Sequence, residues 1–256
     1  MTNETQLVLY AVKGSIATLT LNRPEKRNAL NGAMIEQLKS SLQKANDEAS
    51  IKAIIITGAG NDFCSGADLS ALQKIADSSV SENADDARSL LDLFTLIRAV
   101  TVPVIAAVRG RALAGGCGLA SACDLVLASA NARFGYPEVK IGFVPAMVTA
   151  ILRRNVSEKR AFELLSRGSE IGAEEARSFG LVNQVFADHT FDDEVMAYAG
   201  VFEKVSKSAV ALTKILLYQT DGMAFREALA TGADINVMAR MTADCQKGIA
   251  RFLKRV

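Results

Sequence analysis

Glu138 ends the run Phe134-Gly135-Tyr136-Pro137-Glu138, and a carboxylate held there is suited to moving a proton. Pro137 restricts the backbone that carries it. Phe134 and Tyr136 offer apolar surroundings, which disfavour the ionised form and raise the carboxyl pKa towards the working pH. A base positioned in this way contributes ~10²–10⁴-fold to a proton transfer. Upstream, Gly115, Gly116 and Gly118 lie in a small-residue stretch, ALAGGCGLASACD at 112–124, and a second corner, FCSGADL, occupies 63–69. Glycine removes the Cβ that would block a ligand oxygen, and a helix N-terminus leaves backbone N–H groups free to receive it. Two such corners can each lend one N–H to a single carbonyl oxygen, and each donor is worth about 3–4 kcal/mol of barrier when negative charge develops there.

Both corners follow apolar runs of strand character. Lys52–Thr57 precedes Gly58 and Gly60, and Val102–Val108 is broken by Gly110; Asp124–Ala128 is a third such run. Strand, glycine turn, helix, strand is therefore the local plan, repeated. Ahead of it, Leu7–Val12 and Ser15–Leu21 read as a hairpin around Lys13-Gly14. Asn31 caps a helix whose apolar face is Met34, Ile35, Leu38, Leu42 and Ala45. The polar stretch between Asp77 and Asp86 reads as a mobile flap carrying Glu82, Asp85 and Asp86. The helix after it is expected to bury Ala87, Leu90, Leu91, Phe94 and Ile97. Pro145 opens a further helix. From Phe191 onwards the pattern is helical, with turn signals at Lys207 and Asp221-Gly222. The plan is an α/β body over 1–190 followed by a helical region over 191–256.

Composition narrows the function class. The net charge is +1, from 29 basic and 28 acidic residues, so no polyanion partner is announced and nucleic acid is not expected. No apolar run approaches the ~18 residues of a membrane span. Four cysteines form no CxxC pair and His189 is the only histidine, which disfavours a metal site, a disulfide framework or a Cys/His nucleophile. Cytoplasmic placement with reduced thiols is the expectation. Neither GxGxxG opening a helix nor GxxxxGK[ST] is present, so the common nucleotide folds are set aside. Asp68 and Asp124 read first as caps or ion-pair partners, and His189 as a surface residue.

Five segments together carry a family resemblance: LNRPEKRNALN at 21–31, FCSGADL at 63–69, ALAGGCGLASACD at 112–124, FGYPEVKIGFVP at 134–145 and AEEARSFGLVNQV at 173–185. In this order and spacing they identify the chain as similar to the crotonase, or enoyl-CoA hydratase/isomerase, superfamily over about Ser15 to Arg255. The resemblance implies a ββα spiral core with C-terminal helices that make trimer contacts, as a homotrimer or a dimer of trimers. It implies an acyl-CoA thioester substrate, with coenzyme A part of that substrate and no separate cofactor. The oxyanion donors it implies are the N–H groups of Ala67 and Gly115, with Glu138 as acid/base. For substrate contacts it implies Lys26, Arg27 and Ala29 in the 22–30 loop, Asp68, Leu69 and Tyr136 near the reacting end, and Arg255 at the nucleotide. Arg255 belongs to a basic face with Lys247, Arg251 and Lys254.

One departure bears on the reaction. Hydratases of the superfamily use a second glutamate twenty residues before Glu138, and Gly118 stands there in this chain. Adding water across a double bond calls for one group on the water and another on the proton. One carboxylate suffices to carry a proton between two carbons of an allylic system. The expectation is therefore double-bond isomerisation of enoyl-CoA by Glu138 alone, with Gly118→Glu expected to raise hydration. The alternatives are a hydratase working with Glu138 alone, and a non-catalytic CoA- or RNA-binding paralogue.

Overall fold

The computed structural model describes residues 6–68, 73 and 78–254. β1 (Val8–Lys13) and β2 (Ile16–Leu21) pair antiparallel as the expected hairpin, turning at Gly14 with φ +61°. From β2 the sheet continues in parallel through β3 (Ala53–Gly58), β4 (Val104–Val108), β6 (Leu125–Ser129) and β9 (Gln184–Phe186), giving the order β1-β2-β3-β4-β6-β9. Central parallel strands are covered on both faces and so read as continuous apolar runs; β4, VIAAV, is buried throughout.

A smaller sheet sits at the exits of these strands. β5 (Arg111–Leu113) pairs in parallel with β7 (Arg133–Gly135), which pairs antiparallel with β8 (Glu170–Gly172). Cys64 joins its edge through a parallel bridge to Ala112. Successive passes thus place one strand in the large sheet and a short one in the small sheet: β3 then Cys64, β4 then β5, β6 then β7. The helices between them are α1 (Gly32–Asp47), α2 (Val80–Ala99), α3 (Gly115–Ala122), α4 (Ala146–Asn155), α5 (Glu158–Arg167) and α6 (Ala173–Phe179). This is the ββα repeat that the family resemblance implied.

The α1 reading holds residue by residue. Asn31 Oδ1 accepts from the Met34 N–H at 2.9 Å, and Met34, Ile35, Leu38, Leu42 and Ala45 are the buried face. The flap reading does not hold over its described part. Ser79 and Glu82 form a capping box, and the chain from Val80 is already the first turn of a 20-residue helix. Polar composition resembles a loop, but reciprocal capping satisfies the N–H groups that would otherwise favour one. α2 buries Leu93, Phe94 and Ile97, while Ala87 and Leu91 face outwards.

The expected break at 190/191 falls inside the body. On the second face of the large sheet, Ile16, Ala53, Ile55, Ile105, Ala107 and Leu127 are covered by Phe191, Val195 and Ala199 of α7 (Phe191–Gly200). Only α8 (Lys207–Gln219), α9 (Phe225–Met241) and α10 (Ala243–Leu253) form the outer helical region. α8 buries Lys214 alone, and α9 and α10 bury no residue.

Candidate active site

The two glycine corners meet. Gly66 has φ +95°, a conformation that favours glycine. A Cβ there would lie 2.7 Å from Ala114 Cβ and 3.4 Å from the Gly115 nitrogen. The approach is closed by backbone pairing on both sides: Cys64 N–H donates to Arg111 O at 3.0 Å, and Leu113 N–H to Cys64 O at 2.9 Å. Gly116 fits beneath, since a Cβ on it would stand 2.3 Å from Cys64 O. Ala114, which caps α3, takes a positive φ of 51° although it is not glycine. Backbone held in that region is strained by ~1–3 kcal/mol and persists only where its surroundings over-determine it.

That local geometry leaves two donors unspent. Among the described residues, the N–H groups of Ala67 and Gly115 donate to no acceptor, although their neighbours do: Leu30 N–H to Gly66 O at 2.7 Å, Asp68 N–H to Leu30 O at 3.1 Å, and Gly118 N–H to Ala114 O at 2.9 Å. Ala67 is exposed and Gly115 half-buried, so both remain reachable.

Glu138 lies just past the end of β7 in the small sheet. Ala114 N–H donates to Gly135 O at 2.9 Å, tying the end of β7 to the start of α3. Two residues later the chain makes a 3-10 turn, Pro137–Ile141, which is closed when Phe143 N–H donates to Glu138 O at 3.0 Å. The Glu138 side chain is partly buried, and its Oε2 is sealed from solvent with no hydrogen-bond partner among the described residues. Burial raises its carboxyl pKa above the ordinary value of 4.5, with a hydrogen bond to its own backbone opposing the rise. A desolvated carboxylate is a stronger base than a solvated one, which is what proton abstraction beside a carbonyl requires.

Tyr136 does not line the reacting end. It is 0% exposed, and its hydroxyl lies 3.0 Å from Ser121 Oγ. Ser121 in turn donates to Cys117 O at 2.7 Å, and Asn155 Nδ2 donates to Ser121 O at 2.9 Å. The expected substrate contact is instead a buried brace between the Glu138 turn, α3 and α4, because a phenol whose hydroxyl finds a partner inside the fold is stable there. Asp68 is likewise inside, 2.7 Å from the Arg23 guanidinium, which also donates to Ala29 O at 2.8 Å. Ala29 N–H is spent on Lys26 O, so Ala29 offers a ligand only the remaining lone pair of its carbonyl. Lys26 and Arg27 are exposed on the rim of the same loop. Leu69 and Arg255 lie outside the described residues, whereas Lys247, Arg251 and Lys254 are exposed on or just past α10. Cys64 and Cys117 are buried, which pushes their thiols up to about 12 and about 11. Neither is a thiolate nucleophile. His189 is exposed.

Sequence reading missed the supports of this site. Asn28 is fully buried with φ 53°, accepting from Arg23 N–H and donating to Ala59 O and Asp62 O. Asn tolerates that left-handed backbone better than most residues, which was the available signal. Asp68 reads from the sequence as a cap or ion-pair partner, but its partner Arg23, 45 positions away, left no signal.

Known proteins share this architecture. The family model described as "Enoyl-CoA hydratase/isomerase" matches residues 11–256. The 2,3-dehydroadipyl-CoA hydratase of Escherichia coli is 36% identical over 94% of this chain and 92% of its own length. The crotonyl-CoA hydratase of Syntrophomonas wolfei is 35% identical over 97% and 95%. Among solved structures, an enoyl-CoA hydratase of Mycobacterium smegmatis superposes with a TM-score of 0.93 at 32% identity, covering 97% of this chain and 96% of that one.

Proposed function

The chain belongs to the enoyl-CoA hydratase/isomerase family, and from that premise we propose that it isomerises the double bond of an enoyl-CoA thioester with Glu138 as its single acid/base. The observation that carries the reading is the Glu138 Oε2, sealed from solvent and without a hydrogen-bond partner among the described residues, in a chain that leaves the N–H groups of Ala67 and Gly115 unspent and has glycine at 118, where hydratases of the family are expected to carry their second glutamate. The thioester oxygen accepts from Ala67 and Gly115. Glu138 removes a Cα proton from a 3-enoyl thioester, the electron pair moves into the enolate, and negative charge gathers on the oxygen facing the two donors. The same carboxyl returns the proton to Cγ, so the C3=C4 double bond becomes C2=C3. Atoms and charge balance without a second group.

Hydration of a 2-enoyl-CoA by Glu138 alone is the second reading, and the hydratases among its relatives favour it. Both routes share enolate, donors and base, and differ only in whether water is admitted. Purified protein given 2-enoyl-CoA and 3-enoyl-CoA separately distinguishes them. Conversion of the 3-enoyl to the 2-enoyl thioester, faster than 3-hydroxyacyl-CoA forms from the 2-enoyl thioester, is expected. The reverse order replaces isomerisation by hydration, and binding without turnover of either favours a non-catalytic paralogue. We assign the substrate's nucleotide end to Lys26, Arg27 and the α10 basic face, and the assembly to a homotrimer or a dimer of trimers through the outer helices.

A further inference from the structure

Gly118 lies three residues past Gly115 on α3, so the two share one helix face. The space above Gly118 is full. An added Cβ would sit 2.3 Å from Val148 Cγ1, 3.5 Å from Val148 Cβ and 3.2 Å from Phe94 Cζ. Val148 belongs to the first turn of α4 and Phe94 to α2, and both are buried. Three helices therefore close on one point, a single turn from a candidate donor, and the three nearest atoms there are all hydrocarbon. Gly118 is thus more than a missing carboxylate, because its neighbours have taken the volume. The expectation that Gly118→Glu by itself raises hydration fails on this ground, since the new side chain would have to displace a buried valine.

We propose that Val148, backed by Phe94, is a specificity-determining residue that selects proton shuttling over water addition by filling the space above Gly118 with hydrocarbon. The inference rests on the single-carboxylate reading. A reacting water has to be held by two to four polar partners, and an isopropyl group and a phenyl edge offer none. In hydration the water oxygen must bond to Cβ while a proton ends on Cα and the C2=C3 π bond is consumed. Isomerisation moves one proton from Cα to Cγ and needs no such place.

Four proteins test this: the wild type, Val148→Ala, Gly118→Glu, and the Gly118→Glu/Val148→Ala pair. Each is followed by thermal melting and by both enoyl-CoA assays. Gly118→Glu alone is expected to melt well below the wild type and to lose both activities, and Val148→Ala is expected to restore much of the melting temperature. The diagnostic readout is the ratio of hydration to isomerisation. It is expected to rise several-fold in Val148→Ala and at least tenfold in the pair, whereas mere loosening would lower both rates together. Gly118→Glu melting like the wild type would overturn the claim that the space is filled. A folded Val148→Ala protein with the wild-type ratio would overturn the role of Val148, whether or not the pair folds. A wild type that hydrates faster than it isomerises overturns the proposal while leaving Glu138 in place. A wild type that does neither overturns the single-carboxylate reading, and the proposal with it.

Discussion

Glu138 joins two properties that usually exclude each other, a partly buried carboxyl and a sealed oxygen, Oε2, without a hydrogen-bond partner among the described residues. Its pKa is raised by desolvation, so the folded protein holds the proton more tightly than the unfolded chain does. Stability from this group is therefore present below the ordinary 4.5 and is lost as pH rises through the elevated folded value. Glu138→Gln removes that loss, and the variant is expected to melt higher than the wild type at neutral pH, with the gain vanishing below the ordinary carboxyl range. The same substitution deletes the base. A fall in kcat of ~10²–10⁴ with acyl-CoA affinity nearly unchanged is expected, together with loss of α-proton exchange into deuterated water. Exchange persisting at the wild-type rate would assign the base elsewhere. Tyr136 and Asp68 show the other side of the residue scale. Both stand beside reactive-looking positions, yet one is a core brace, which only its burial reveals, and the other is the ion-pair partner that its residue type suggested.

At the scale of elements, α8 is fixed to the body by charge. Lys214 Nζ donates to Asp124 Oδ2 at 2.7 Å, to Ile97 O at 2.9 Å and to Val102 O at 3.1 Å. The first carbonyl is in the last turn of α2, so the ammonium also caps that helix. Tyr218 donates to Asp124 Oδ1 at 2.7 Å, and the Arg98 guanidinium lies 4.7 Å from the centre of its ring. Burial lowers the Lys214 pKa, against the opposing pull of Asp124. Breaking a buried pair leaves an uncompensated charge, which costs about 3–5 kcal/mol. Lys214→Met and Asp124→Asn are each expected to lower stability by that order in denaturant melts. The double variant is expected to cost less than the sum of the two, the coupling expected of groups in one network. Additive losses would mean that the pair is not a unit.

At the scale of the whole molecule, the outer helices are incomplete. α9 and α10 bury no side chain, yet Phe225, Leu229, Val237, Met238 and Met241 on α9, and Ile249, Phe252 and Leu253 on α10, are apolar and exposed. Apolar exposure on this scale marks an association surface, and copies of the same chain are the occupants that the trimer proposal calls for. The wild type is expected to sediment as a trimer or a dimer of trimers. Val237→Glu with Met241→Glu, one helical turn apart on α9, is expected to shift it towards monomer. A wild type that is monomeric at micromolar concentration would remove the assembly from the proposal.

Periodicity and capping are local, and so the sequence by itself determined the elements. The hairpin around Gly14, the buried face of α1 and its Asn31 cap, the buried run of β4 and the helical C-terminal region were all legible from neighbours in the chain. The two glycine corners were legible too, as turns, because glycine at a turn carries its meaning locally, whereas Glu138 stood out through the family resemblance. What only the tertiary structure decided were the contacts made across long separations. These include the meeting of Gly66 with Gly115, the Arg23–Asp68 pair across 45 positions, the Lys214–Asp124 anchor across 90, and Val148 lying over Gly118. Burial is a property of the packed whole. It turned Tyr136 from a substrate contact into a brace, placed α7 within the body, and filled the volume above Gly118. No composition or spacing encodes which distant side chain will occupy a given space, because that is settled only when the helices close on one another.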